Sequence, residues 1–225
     1  MTFEYPEQWL EGMNTGERVA AELRLHIVKG TIKPGTLLTE NKIATQFGVS
    51  RSPVRDAFKL LKQDQLIRLA RMGAEVCAFG ECAKRELYDI RIMLESFAFT
   101  RIDEATLPTV VQSLRKQLEM MEVAVKYNDA EAFTTHDIAF HEVLVHASQH
   151  AYLNMFWNSL KPVMRVLILL SMRERMAEQP DDFERIHQNH EDFIQAIEMN
   201  DRSQLKSAFH KNFNDVGDQI DRFWL

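Results

Sequence analysis

Two sets of residues in this 225-residue chain carry the side chains that chemistry needs, at spacings that chemistry can use. The first is the run Ser50-Arg51-Ser52-Pro53-Val54-Arg55. Arg51 and Arg55 are four apart and so share one face of a helix. Arginine is the usual bidentate reader of guanine O6 and N7, and serine hydroxyls suit phosphate oxygens. The second is Asp137-x-x-x-His141, again one helical face, with His190 and His210 further along the chain. One carboxylate and three imidazoles on neighbouring helices could hold a divalent metal in a bundle, Zn²⁺ first, with Ni²⁺ or Mn²⁺ also suited. Asp-x-x-x-His is also a common pattern with no metal, and spacing alone leaves both readings open. His26, His136, His146, His150 and His187 lack a partner at ligand spacing and read as exposed or packed. A metal with open positions could activate water, which keeps a hydrolase as an alternative. A metal could equally be the signal that the protein senses. Against the hydrolase, the only nearby bases are Glu142 and Glu191, and sequence neighbours on a helix point roughly 100° apart.

The elements around the first set are legible from their punctuation. Asn14-Thr15-Gly16-Glu17 fits a capping box, followed by Val19, Leu23, Ile27 and Val28 at helical spacing and closed at Lys29-Gly30. Pro34-Gly35 is a turn. Thr39 caps a short helix over Glu40 to Phe47, and Gly48 stops it. Ser50 then caps a third helix, with Pro53 in its first turn and Val54, Ala57, Phe58, Leu60 and Leu61 on its apolar face. Leu66 to Leu69 and Ala74 to Cys77 read as short strands joined at Met72-Gly73. Three helices and a hairpin make a winged helix-turn-helix, predicted over residues 10–79. Its second motif helix presents its N-terminal end to the major groove of double-stranded DNA. That end is the Ser50–Arg55 run.

Residues 80–225 are predicted to be an all-helical antiparallel bundle, so the fold class is mostly α. After Gly80 the next glycine is Gly217, which leaves a stretch unsuited to the turns of a β-sandwich or a Rossmann unit. Helices are expected over Lys84 to Glu104, from Pro108 through Val125, from Asp129 through Leu144, along a fourth that Pro162 should kink, and from Asp181 and Asp201. Charge divides along the same line. Residues 14–79 hold 11 lysines and arginines against 6 acidic residues, while the chain as a whole carries −6. Only the N-terminal part is suited to a polyanion. The opening MTFEYPEQWLEG has no basic region followed by an apolar run, and the most apolar stretch, Val163 to Met172, is too short to cross a bilayer. Neither a leader nor a membrane partner is expected, and the location expected is cytoplasmic. Cys77 and Cys82 are too few for a disulfide framework.

The run Pro34-Gly35, Leu38, Asn41-Lys42-Ile43-Ala44, Phe47-Gly48-Val49-Ser50-Arg51-Ser52-Pro53-Val54-Arg55-Asp56-Ala57 and Leu60 is similar to the DNA-binding signature of GntR-family transcription regulators. The resemblance implies that Arg51, Ser52, Pro53 and Arg55 lie at the recognition helix, that Asn41 faces the phosphate backbone, and that Gly73 forms the wing tip. Asp137-x-x-x-His141, Asn189-His190-Glu191 and Ala208-Phe209-His210 resemble the metal motif of the FCD effector domain, found in the FadR branch of that family. It implies Asp137, His141, His190 and His210 as ligands, and a small organic acid held at the metal's open positions. Arg91, in Tyr88-Asp89-Ile90-Arg91, matches an arginine aimed at the effector carboxylate; its other reading is a surface residue or a salt bridge with Glu95. Further blocks, such as Arg71-Met72-Gly73-Ala74 and Trp157-Asn158-Ser159-Leu160-Lys161-Pro162, are similar to gluconate-responsive members. They imply gluconate or a related sugar acid as effector, and a homodimeric repressor whose operator binding the effector relieves.

Overall fold

The computed structural model describes residues 3–200, with 204, 207 and 208. The chain divides into two compact units, Met1–Lys84 and Arg85–Leu225.

The N-terminal unit holds α1 (Thr15–Val28), β1 (Leu37–Leu38), α2 (Glu40–Phe47), α3 (Arg51–Gln63), β2 (Ile67–Ala70) and β3 (Gly73–Val76). Each helix starts where its capping residue predicts. Asn14 and Glu17 exchange both bonds of a capping box, and the Thr39 hydroxyl accepts from Lys42 N–H. Gly48 ends α2 at φ +65°, a left-handed conformation that costs glycine nothing. Val19, Leu23 and Ile27 of α1 are buried, as are Val54, Phe58 and Leu61 of α3. Gly16 lets these helices close, since a Cβ there would stand 3.1 Å from Asp56 Cβ and Pro53 O. A buried ion pair, Arg24 Nη2 to Asp64 Oδ2 at 2.7 Å, joins α1 to the C-terminal end of α3.

The sheet has the order β1-β3-β2, all antiparallel. Its strand β1 has no counterpart in the sequence reading. Two residues are too few to show a period of two, and the strand is held through its flanks, Gly35 N–H to Val76 O at 2.8 Å and Val76 N–H to Thr36 O at 3.0 Å. The hairpin turn is Arg71-Met72, one residue earlier than expected, and Gly73 is the first residue of β3, opposite Ala70.

The C-terminal helices are α4 (Glu81–Phe99), α5 (Leu107–Lys126), α6 (Ala130–Ala147), α7 (Ala151–Glu178) and α8 (Asp182–Glu198). Helix α5 packs on α6 and α8, and α6 on α7. Helix α4 stops at Phe99 rather than near Glu104. Asp103 caps a separate short turn there by accepting from Ala105 N–H, and the Thr106 hydroxyl returns to Asp103 O. Asp129 caps α6, Pro108 lies in the first turn of α5, and α7 runs on through Pro162. Trp157, Phe140, Phe193 and Leu114 are fully buried in the bundle. The helix expected from Asp201, and His210 with it, lie outside the described residues. No helix among the described residues is long and apolar enough to cross a membrane.

Candidate DNA-facing surface and metal centre

The N-terminal end of α3 is built as a display. Its apolar face, Val54, Ala57, Phe58 and Leu61, is buried, which turns Arg51, Ser52 and Arg55 outward. Ser50 occupies the N-cap position in extended conformation, yet its hydroxyl makes no capping bond. Asn41 is exposed on α2, and Pro53 is half-buried. Arg55 is not alone on this face: its Nε donates to Glu40 Oε2 at 3.1 Å, in a solvent-exposed pair. Glu40 was not among the predicted site residues; its only sequence signal is its place in the first turn of α2. Gly73 sits inside the ladder, at φ +139°. A Cβ at this position would stand 2.1 Å from Leu38 O, so the glycine is what allows β1 to lie against β3.

The bundle positions a second kind of site, buried rather than displayed. Asp137 and His141 lie one turn apart on α6, and His190 faces them from α8; one ligand atom from each lies within 4.8 Å of the others. All three are buried. Behind them, Glu95 of α4 accepts from two groups at once: His141 Nδ1 at 2.6 Å and Arg91 Nε at 2.7 Å. His190 Nδ1 donates to Ile186 O at 2.8 Å. An ionised carboxylate and a carbonyl can only accept, so both imidazoles carry their proton on Nδ1 and keep the Nε2 lone pair for the centre of the triad. The ring of Phe140 stands edge-on to both imidazoles, centroids 5.2 and 4.8 Å away, and fixes their planes.

The charges follow from this enclosure. Burial pushes the Glu95 carboxyl up, but His141 and Arg91 together outweigh it and hold it below its ordinary range. Burial likewise opposes the charge on Arg91, and Glu95 with Asp137 more than restore it. Burial first and then Arg91 hold His141 below its ordinary value, while Glu95 and Asp137 pull the other way by favouring the charged ring. Asp137 stays a carboxylate: burial pushes it up, and His190, His141 and Arg91 bring it down to about 2.

The donor set fits a divalent metal. His190 Nε2 is buried, with no hydrogen-bond partner among the described residues, and lies 3.3 Å from Asp137 Oδ1. A buried lone pair left unmade is costly, and a cation at the centre of the triad would satisfy it. Two imidazoles, each oriented through Nδ1, and one carboxylate are the ligand types zinc takes. Arg91 makes the salt bridge with Glu95, and it lines the same cavity as the triad. Sequence reasoning missed Glu95 as a site residue. Its signal was a carboxylate four residues after Arg91, on the face of α4 that turns inward.

The other five histidines from the sequence reading lie elsewhere. His150 caps α7, His136 meets Gln117, His26 meets Glu22, His187 meets Glu122, and the exposed His146 lies 3.6 Å from Glu142. Glu142 and Glu191, the candidate bases of a hydrolase, are engaged by Lys161 at 2.7 Å and Arg115 at 3.2 Å.

Comparison with known proteins matches residues 15–76 to the family described as bacterial regulatory proteins, gntR family, and residues 86–214 to the FCD domain. The chain is 48% identical to the gluconate operon transcriptional repressor of Bacillus licheniformis and 49% identical to that of Bacillus subtilis. Both alignments cover 98% of this chain and 91% of the relative. Among solved structures, Escherichia coli McbR/YncC shares the fold at TM-score 0.63 and 19% identity, over 94% of this chain and 98% of that one.

Proposed function

The chain belongs to the GntR family of bacterial regulatory proteins and carries an FCD domain in its C-terminal part, and from that membership we propose that it is an operator-binding repressor released by gluconate or a closely related sugar acid. The observation that carries this reading is the 48–49% identity, over nearly the whole chain, to two repressors named for the gluconate operon. Members of this family are DNA-binding transcription regulators and not enzymes.

Arg51 and Arg55 read base edges in the major groove, with Asn41, Ser50 and Ser52 on the phosphate backbone and Pro53 shaping the turn into α3. The wing, with Gly73 at the start of β3, approaches the minor groove. Asp137, His141, His190 and His210 hold the metal, zinc by ligand type, and the metal supplies a fixed positive charge for a carboxylate and its neighbouring hydroxyl. Arg91 takes the other carboxylate oxygen, its guanidinium aimed by Glu95. The protein acts as a homodimer. Ile90, Met93 and Phe97 on α4 form an exposed apolar stripe; Phe97 meets His150 at the start of α7, and His150 in turn meets the exposed Tyr152. Such a patch suits a second copy. The acid releases DNA to the extent that it binds the DNA-free arrangement more tightly than the DNA-bound one.

Fluorescence anisotropy on operator DNA, at fixed salt because phosphate contacts are salt-dependent, tests the whole. Gluconate should release the DNA, glucose should not, and removal of the metal with a chelator should abolish the response. Release by metal alone would replace this reading with a metal sensor. Tight binding indifferent to gluconate would remove gluconate as effector.

A further inference from the structure

The cavity that holds the triad does not end at the metal ligands. It has a buried floor, with Arg91, Asp137, His141 and His190, and a mouth formed by Ser171 and Arg175 of α7 and by Arg185 of α8. Exposure separates the two ends: the Arg91 side chain is 4% exposed and that of Arg185 46%. The mouth is an ordered assembly. Asp182, in the first turn of α8, takes Arg185 Nε at 2.7 Å on one oxygen and Nη2 at 3.0 Å on the other, and Arg175 Nη1 meets the second oxygen. Arg175 Nε also contacts Ser171 Oγ at 3.2 Å. One carboxylate between two guanidiniums leaves the mouth positive, with Arg185 fixed at one edge and N–H donors to spare.

We propose that Arg185 reads the far end of the effector, so that the site selects a sugar acid of about six carbons over shorter hydroxy acids. The inference rests on the effector reading above. Arg185 and His190 both line the cavity, and Arg185 precedes His190 by five residues on α8, a rise of about 7.5 Å along the axis. An extended six-carbon chain spans five carbon–carbon bonds, about 6 Å end to end. With its carboxylate on the floor, its terminal hydroxyls arrive at the mouth. A three-carbon acid stops half way, and makes the floor contacts alone. Asp182 and Arg175 are positioning residues here; they hold the guanidinium of Arg185 and need not touch the ligand.

Isothermal titration of the zinc-loaded full chain with gluconate and with glycerate, its three-carbon counterpart, tests this. Wild type should bind gluconate about tenfold or more tightly than glycerate. Arg185→Ala should weaken gluconate and leave glycerate unchanged, bringing the two within about threefold; Arg185→Lys should recover part of the difference. Thermal unfolding of each variant, expected at the wild-type temperature, separates this from misfolding. If Arg185→Ala weakens both acids equally, or leaves their ratio as it was, the far-end assignment is wrong. If wild type binds neither acid, the effector reading itself has failed.

Discussion

The two units carry their polar residues in opposite ways. In the N-terminal unit the candidate residues from Asn41 to Arg55 lie within fifteen positions of one another, and their side chains stand in solvent on helices whose other face is buried. In the C-terminal unit Arg91, Glu95, Asp137, His141 and His190 are spread over about a hundred positions, and every one is buried. A displayed set asks little of the fold beyond the correct helix face, so it adds almost nothing to stability and loses almost nothing when changed. A buried set must satisfy every charge within itself, so binding and stability are the same interactions. Substitutions should therefore separate function from stability in one unit and couple them in the other.

The largest stability effect is expected at Glu95. Its carboxylate accepts from both Arg91 Nε and His141 Nδ1, and Glu95→Ala removes the hydrogen-bonded counter-charge of a buried guanidinium. Breaking a buried pair from one side costs roughly 3–5 kcal/mol, readable as a shift in the denaturation midpoint of the bundle. Glu95→Gln keeps the shape and an acceptor for His141, and should instead lower metal affinity by about 10–100-fold, as changes to the group that orients a metal-binding imidazole do. A bundle that unfolds at the wild-type midpoint in Glu95→Ala would mean the site is not held together in this way.

Gly73→Ala should come next. The new Cβ would meet Leu38 O, and the φ of +139° is one that side chains rarely adopt. Strain of this kind costs on the order of 1–3 kcal/mol, and it should appear in the N-terminal unit alone, as loss of the β1–β3 pairing in hydrogen exchange at Val76 N–H. If exchange at Val76 is unchanged, the close approach at Leu38 is not what fixes this glycine.

That glycine shows where sequence reading stops. The capping residues Asn14, Thr39 and Asp129 each bond to neighbours within three positions, and Ser50 takes the N-cap place without such a bond, so four helix starts were readable directly. The same locality exposed Arg51 and Arg55, and the i, i+4 pair Asp137 and His141. Gly73 could be seen as special but not for its reason, because Leu38 is far from it in sequence and β1 is two residues long. Glu95 is the same lesson in the bundle. What makes it functional is the arrival of His141 from another helix, 46 residues away, and no period along α4 records that. The resemblance to a known family supplied the ligand set; it supplied neither the carboxylate behind His141 nor the one beside Arg55.

The smallest stability effect, and the sharpest test of the comparison, is expected at Arg51 and Arg55. Arg51 is exposed, and the bond from Arg55 to Glu40 joins side chains that are 56% and 33% exposed. Pairs of that kind contribute about 0.2–1 kcal/mol, so Arg51→Ala and Arg55→Ala should each unfold within about 0.5 kcal/mol of wild type. Operator binding should behave otherwise, falling by roughly 1–3 kcal/mol for each change, with specificity relaxed at the base that each one reads. The two should still differ from one another. With Nε committed to Glu40, Arg55 would meet DNA with its Nη pair free of that bond and its rotamer already chosen. Less freedom is then lost when it meets guanine, so Arg55→Ala should be the costlier of the two. Equal losses in a gel-shift series would mean that Glu40 does no more than neutralise charge. Wild-type affinity in both variants would remove α3 from the interface altogether.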